Sequence, residues 1–286
     1  MHIFRRSNLV VAILVAVCLG GGVAVASSQL GGPWEVGILA GGIAIWIGLR
    51  RFINRWLQVR HPLPNSSLDW LERHVAFYRG LDSRDRRQFE RAVQIALADM
   101  SFEGVAGVAV TRTLRLAVAA GIALMWFGRP GWDIPYKHTV LFYPGSFNEE
   151  FDLEDRPIFD GMMRENGPLL LSAPAVTHGW QRADGLNVVL HELAHVLDFQ
   201  GSGPPGLPAL LDPSSATAWK TLVDHEMEKV RNGQSILRNY AATNRAELFA
   251  VAVEQFFERP RQLKDRHKEL FDALVVMFNF DPTPQR

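Results

Sequence analysis

The stretch Asn187–Gln200 reads NVVLHELAHVLDFQ and puts His191, Glu192 and His195 at HExxH spacing. On an α-helix, residues four apart share a face, so the two imidazoles can converge on one metal ion. Glu192 then projects beside them, placed to take a proton from water rather than to bind the metal. Neutral imidazoles suit Zn²⁺, and two of them leave the ion short of ligands. Hydrolytic zinc sites add a third protein ligand and keep the fourth position open. Accident alone produces this spacing in roughly one chain in a hundred of such length. The flanks argue against accident. Val188, Val189, Leu190, Leu193, Ala194, Val196 and Leu197 surround the triplet with apolar side chains. Burying three polar groups among them costs on the order of several kcal/mol unless something pairs them, and a metal does so.

A third ligand has to come from elsewhere. The segment Asn239–Pro260, NYAATNRAELFAVAVEQFFERP, offers Glu247 and Glu254 inside an otherwise apolar run. Seven residues apart, they share a helix face. One suffices as ligand, and the other can bond a ligand imidazole from behind. Ordinary readings exist for both: a first-turn glutamate favoured by the helix dipole for Glu247, a surface carboxylate near Arg259 for Glu254. Tyr240, one loop upstream of Glu247, tips the choice toward Glu247, because a phenol there can donate to the oxyanion of a tetrahedral intermediate. Asp198 is either a partner of the site or a helix C-terminal residue. His178 could line a cleft. His138 and His225 have no partner at ligand spacing, and Trp126, Trp132 and Trp180 suit a core better than a substrate platform.

The elements that must carry these residues fall after a linker at 61–67 and fill 68–286. Asp82 or Ser83 caps a helix with Phe89, Val93, Ile95 and Leu97 at near-helical spacing. Gly104–Val110 resembles a short strand, and Leu114–Gly128 a buried helix. HTVLFYPGSF reads as a strand ending at Pro144-Gly145. GPLLLSAP is a strand that could offer a free edge to an extended peptide. GPPGLP, Gly203–Pro208, is a loop. Helices are expected at about 216–230, 245–257 and 263–277. The sum is an α+β domain, strands in its first half and helices in its second.

Ahead of the linker, Leu9–Ala26 runs eighteen residues without a charge. It meets the lower length bound for crossing a bilayer. A second apolar run reaches spanning length over about 31–49. Arg5 and Arg6 precede the first run, and Arg50, Arg51, Arg55 and Arg60 follow the second. The expectation is a transmembrane helical hairpin over residues 1–60, contacting the lipid bilayer of the inner (cytoplasmic) membrane with both ends, and the catalytic domain, in the cytoplasm. The competing reading is a cleaved signal peptide, suggested by the arginine pair and AVASS. The 30 basic and 30 acidic side chains cancel, which argues against nucleic acid as a partner. Cys18 is the only cysteine, so no disulfide framework or cysteine metal site exists.

The stretches FEGVAGVAVT, VLFYPGSF, GPLLLS, GLNVVLHELAHVLD and the Tyr240-to-Glu254 segment together resemble the Mlc titration factor A family of zinc peptidases, from about Leu68 to Asp281. The resemblance implies a zincin-like metallopeptidase domain with a small sheet and active-site helices. It implies Zn²⁺ on His191, His195 and Glu247, with Glu192 as base and Tyr240 as the family tyrosine. It also implies aminopeptidase-type activity on a peptide or protein substrate, and a transcriptional regulator as a partner. The N-terminal apolar runs depart from the family's soluble members. A second functional reading is a membrane-tethered binding module that sequesters a transcription factor, with zinc only holding the fold.

Overall fold

The computed structural model describes residues 6–131, 139–148, 159–163, 167–199, 206, 208 and 213–283. Two compact units emerge, the first ending at Pro62 and the second beginning at Leu63.

The first unit is built on α1 (Arg6–Gln29) and α2 (Glu35–Val59). They meet through small residues: a Cβ on Gly37 would stand 2.4 Å from the Gly20 carbonyl and 2.5 Å from Ala24 Cβ. Val10–Gln29 is long and apolar enough to cross a membrane, with a mean hydropathy of 2.5. The second helix passes the same measure only as two halves joined across a 48° bend. It also runs past the expected end at 49, through Arg50 and on to Val59. No glycine or proline stands between Gly48 and Pro62, and Leu, Arg and Gln are good helix formers, so the helix carries on past the bend to Val59.

The second unit opens with α3 (Asn65–His74), which takes the last residues of the expected linker, then α4 (Ala76–Arg79). Helix α5 (Ser83–Asp99) starts where Asp82 accepts hydrogen bonds from Arg84 N–H and Asp85 N–H, each at 2.8 Å. Phe89, Val93 and Ile95 are fully buried, as their spacing requires. Helix α6 (Arg112–Met125) is the expected core helix, with every residue from Leu116 onward buried.

Four short strands form one sheet in the order β1-β2-β4-β3. They are β1 (Ser101–Gly104), β2 (Thr139–Tyr143), β3 (Gly161–Met163) and β4 (Leu169–Ser172). The first three in that order are parallel, and β3 runs antiparallel to β4. Two expectations are corrected. The strand expected at Gly104–Val110 ends at Gly104, because Ala106 (φ 50°) and Gly107 (φ 81°) turn the chain through left-handed backbone. GPLLLS is not an edge: β4 lies between β2 and β3, and its leucines are buried, as suits an inner strand. The edge on that side is β3.

Helices complete the unit: α7 (Ala173–Gly179), α8 (Val188–Phe199), α9 (Ala216–Arg231), a 3₁₀ turn at Asn239–Ala242, α10 (Arg245–Glu258), α11 (Pro260–Arg266) and α12 (Lys268–Phe278). The single helix expected over 263–277 is two. They part at His267, whose Nδ1–H donates to the buried Glu226 carboxylate. Its Nε2 accepts from the Ser235 hydroxyl at 3.1 Å and from Ile236 N–H at 3.3 Å. The unit is mostly helical with a small mixed sheet. Of the expected GPPGLP loop, only Gly206 and Pro208 fall among the described residues, and Trp132 and His138 lie outside them.

Candidate metal centre and cleft

Helix α8 is positioned by its start. Asn187 Oδ1 accepts from Leu190 N–H, and Asn187 Nδ2 donates to the Gly179 carbonyl at 3.0 Å. Two carboxylates of α10 hold the same turn: Glu254 accepts from Asn187 N–H at 2.7 Å, and Glu258 from Gly185 N–H at 2.7 Å. Acids are favoured at a helix N-terminus. The opposite face of α8 packs its apolar residues on α6, so tightly that a Cβ on Gly121 would stand 2.7 Å from Val189 Cγ1.

The remaining face turns His191 and His195 toward α10. Their Nε2 atoms are 3.2 Å apart. Glu247 Oε2 stands 3.1 Å from His191 Nε2 and 3.6 Å from His195 Nε2. That oxygen is buried and faces the two imidazoles. A tetrahedral zinc with bonds of about 2.0–2.2 Å spaces its ligand atoms about 3.3–3.6 Å apart; one edge of the triangle lies in that range and the other two lie slightly below it, so a small outward shift would seat the ion. Glu247 sits in the first turn of α10, where Asn244 Oδ1 caps its N–H at 2.9 Å. Although burial works against its charge, the two imidazoles hold the Glu247 carboxyl well below the usual range. For His191, burial opposes protonation, and Glu247, Glu254 and Glu192 together outweigh it, pushing the imidazole up to about 10. Such surroundings draw positive charge.

Glu254 is 1 % exposed and stands behind His191, its Oε1 2.7 Å from Nδ1. Arg238 Nη2 donates to the same oxygen at 2.7 Å. Glu192 is buried beside the triangle, and burial raises its pKa above the ordinary carboxylate value. Its neighbour across the cleft is β3: a Cβ on Gly161 would lie 2.7 Å from Glu192 Oε1. The Tyr240 ring is centred 6.1 Å from the His191 ring. Burial and the nearby Glu247 push its phenol up to about 12.

The sequence-derived residues His191, Glu192, His195, Tyr240 and Glu247 thus meet in one place, with Glu254 behind them. Asp198 is turned to other work: both its carboxylate oxygens accept Gly206 N–H at 2.8 Å. His178 lines the cleft, His225 is exposed on α9, and Trp126 and Trp180 are buried. Sequence reasoning passed over Arg238, Gly161 and Glu258. Glu258 had a signal, since it follows Glu254 by four residues on one helical stripe. Arg238 and Gly161 had none. Two cavities flank Glu192 and Tyr240, one of about 810 Å³ toward α9 and one of about 610 Å³ toward α7.

An HExxH helix faced by a glutamate-bearing helix under the edge of a small sheet is an arrangement for holding a hydrolytic metal. Residues 49–279 match the family model of the glucose-regulated metallo-peptidase M90, and the chain belongs to that family. It is 27% identical to the uncharacterized protein slr2042 of Synechocystis over 84% of this chain and 96% of that one. It is 26% identical to the Mlc titration factor A of Yersinia pestis over 80% of this chain and 90% of that one. The Pectobacterium atrosepticum protein of the same name is 28% identical, over 51% and 60% of the respective chains.

Proposed function

We propose that the chain is a zinc-dependent peptidase in which His191, His195 and Glu247 hold the ion and Glu192 is the general base. The observation that carries this reading is the triangle of two imidazole nitrogens and one buried carboxylate oxygen, with edges of 3.1, 3.2 and 3.6 Å. When bound, zinc lowers the pKa of water toward neutrality and polarises a carbonyl. The chain's own residues do the rest. Glu254 accepts the Nδ1 proton of His191, which fixes the tautomer and aims the Nε2 lone pair into the triangle. Glu192 takes the proton of the attacking water and passes it to the leaving amine. Its raised pKa suits both transfers at neutral pH. Tyr240 stays protonated far above neutrality and donates to the oxygen that gains charge as the carbonyl becomes tetrahedral. The outer edge of β3, unpaired among the described residues, is available to the backbone of an extended peptide.

The reading extends to location. Helix α1 serves as a membrane anchor, with α2 completing a hairpin, and the arginines flanking the two apolar runs favour a cytoplasmic catalytic domain. A second reading draws on the name of the relatives, Mlc titration factor A: the domain binds a regulator and the metal holds its fold.

Replacing Glu192 by Gln separates the two. We expect zinc content to be retained and hydrolysis of a peptide pool to fall by about 10³-fold or more, since the base is lost. Equal cleavage by both proteins would remove Glu192 from the mechanism, and no cleavage by either would favour the binding module. Including peptides with free and with blocked N-termini reads out whether the activity is of aminopeptidase type.

A further inference from the structure

We propose that the 810 Å³ cavity is the pocket for a bulky apolar side chain next to the scissile bond, so that the substrates are extended peptides carrying Leu, Met or Phe at that position. This rests on the peptidase reading and adds to it the chemical class of what is cut.

Position comes first. The cavity is bordered by Glu192, His195, Glu247 and Tyr240, so a side chain in it hangs from a residue adjoining the reacting carbonyl. A peptide backbone laid along β3 sends alternate side chains to opposite sides, and those on one side descend between β3 and α9. The volume lies in the range of ligand pockets and is ample for one large side chain.

The walls come second. Phe159 and Met163 close the β3 side, Met227 the α9 side and Ala246 the α10 side. Three of the chain's seven methionines, Met162, Met163 and Met227, therefore border this one cavity. Thioether side chains are apolar, polarizable and rich in rotamers, so they adapt to several shapes without rejecting any of them. The pocket should accept a range of large apolar side chains rather than one.

Charge comes third, and it excludes the alternatives. Asp224 and Arg245 also border the cavity, and each satisfies the other through two contacts of 2.7 Å. Asp198 is bonded to Gly206 N–H. A glutamate entering here would shed its water beside Glu192 and Glu247, and a lysine would compete with the metal and the attacking water for those same carboxylates, so either is costly. The smaller cavity has a different character, with Arg238, His178 and the Ser146–Asp160 hydrogen bond on its walls. The two sides of the scissile bond are therefore read by unlike chemistry, and the apolar selection belongs to the side facing α9.

The test uses the full chain, purified in detergent and zinc-loaded, on a peptide library randomised on both sides of the cut. We expect large apolar residues to be enriched at one position on a fixed side, by roughly 10–100-fold in kcat/KM over Gly or Lys there. Met227→Glu should erase that enrichment while zinc content stays at one ion per chain. Met227→Ala, the milder change, should move the optimum toward Phe and Trp. Cleavage with a flat profile, or an enrichment that neither variant alters, overturns the pocket and leaves the peptidase reading intact. Absence of any cleavage by the wild type overturns both.

Discussion

Gly161 occupies a place where one methyl group would collide with the general base. Its missing Cβ would stand 2.7 Å from Glu192 Cγ and 2.6 Å from Val188 Cγ2. Helix α8 is packed hard on α6 behind, so the collision must be relieved by the carboxylate. Gly161→Ala should cut kcat by about 10²-fold, the usual cost of misplacing a catalytic group by about an ångström, with metal content unchanged. Steady-state kinetics with metal analysis on the same sample checks it. Glu254 makes the complementary case. Replacing it by Gln keeps the shape but lets the amide offer its donor to His191 Nδ1, and zinc affinity should drop by about 10–100-fold in competition with a chelating dye. At this scale much of the site could be read from the chain. HExxH and the Glu247–Glu254 spacing announce a metal because side-chain periodicity on a helix is local. Gly161 and Arg238 left no such mark, since each matters through a neighbour far away in sequence.

Helix α10 is the element on which the site turns. Glu247 faces the imidazoles, Glu254 bonds His191 and Asn187, and Glu258 bonds Gly185 and Asn187. Burial raises the Glu258 pKa to about 7, with Glu254 and Asp184 adding to the rise and the bonds from Asn187 and Gly185 opposing it. The folded value therefore exceeds the unfolded one of about 4.5. The protonated group contributes its full stability below about pH 4.5, and the contribution is lost as pH rises through about 7. Glu258→Gln cannot ionise, so the melting temperature of the wild type relative to this variant should decline between pH 4.5 and 7.5. A constant difference would remove burial of the charge as the cause. Elements bounded by clear chemistry were legible: Asp82 caps α5, and Pro144-Gly145 ends β2. The break between α11 and α12 was not, because it depends on the tertiary bonds of His267 rather than on a glycine or proline. The edge strand was misassigned because β4 and an exposed strand differ in partners, not in their own three leucines.

For the molecule as a whole, the apolar N-terminus is the largest departure from an ordinary globular chain. Twenty residues of α1 have a mean hydropathy of 2.5, and most of their side chains point outward. The full chain should sediment with membranes and stay there through a high-salt wash, being released only by detergent. Recovery in the soluble fraction after the wash would exclude α1 as an anchor. The sequence displayed this segment plainly, since hydropathy needs no partner to be visible, whereas the length of α2 follows from helix formers carrying on past the apolar run. Far from that end, the C-terminal helices reach the chemistry by an indirect route. The imidazole at the α11–α12 corner grips Ser235 and Ile236, four residues or so ahead of the tyrosine. The tail of the chain is thus a buttress for the rim of the cleft, and trimming it would loosen the phenol before it disturbed either metal-facing histidine.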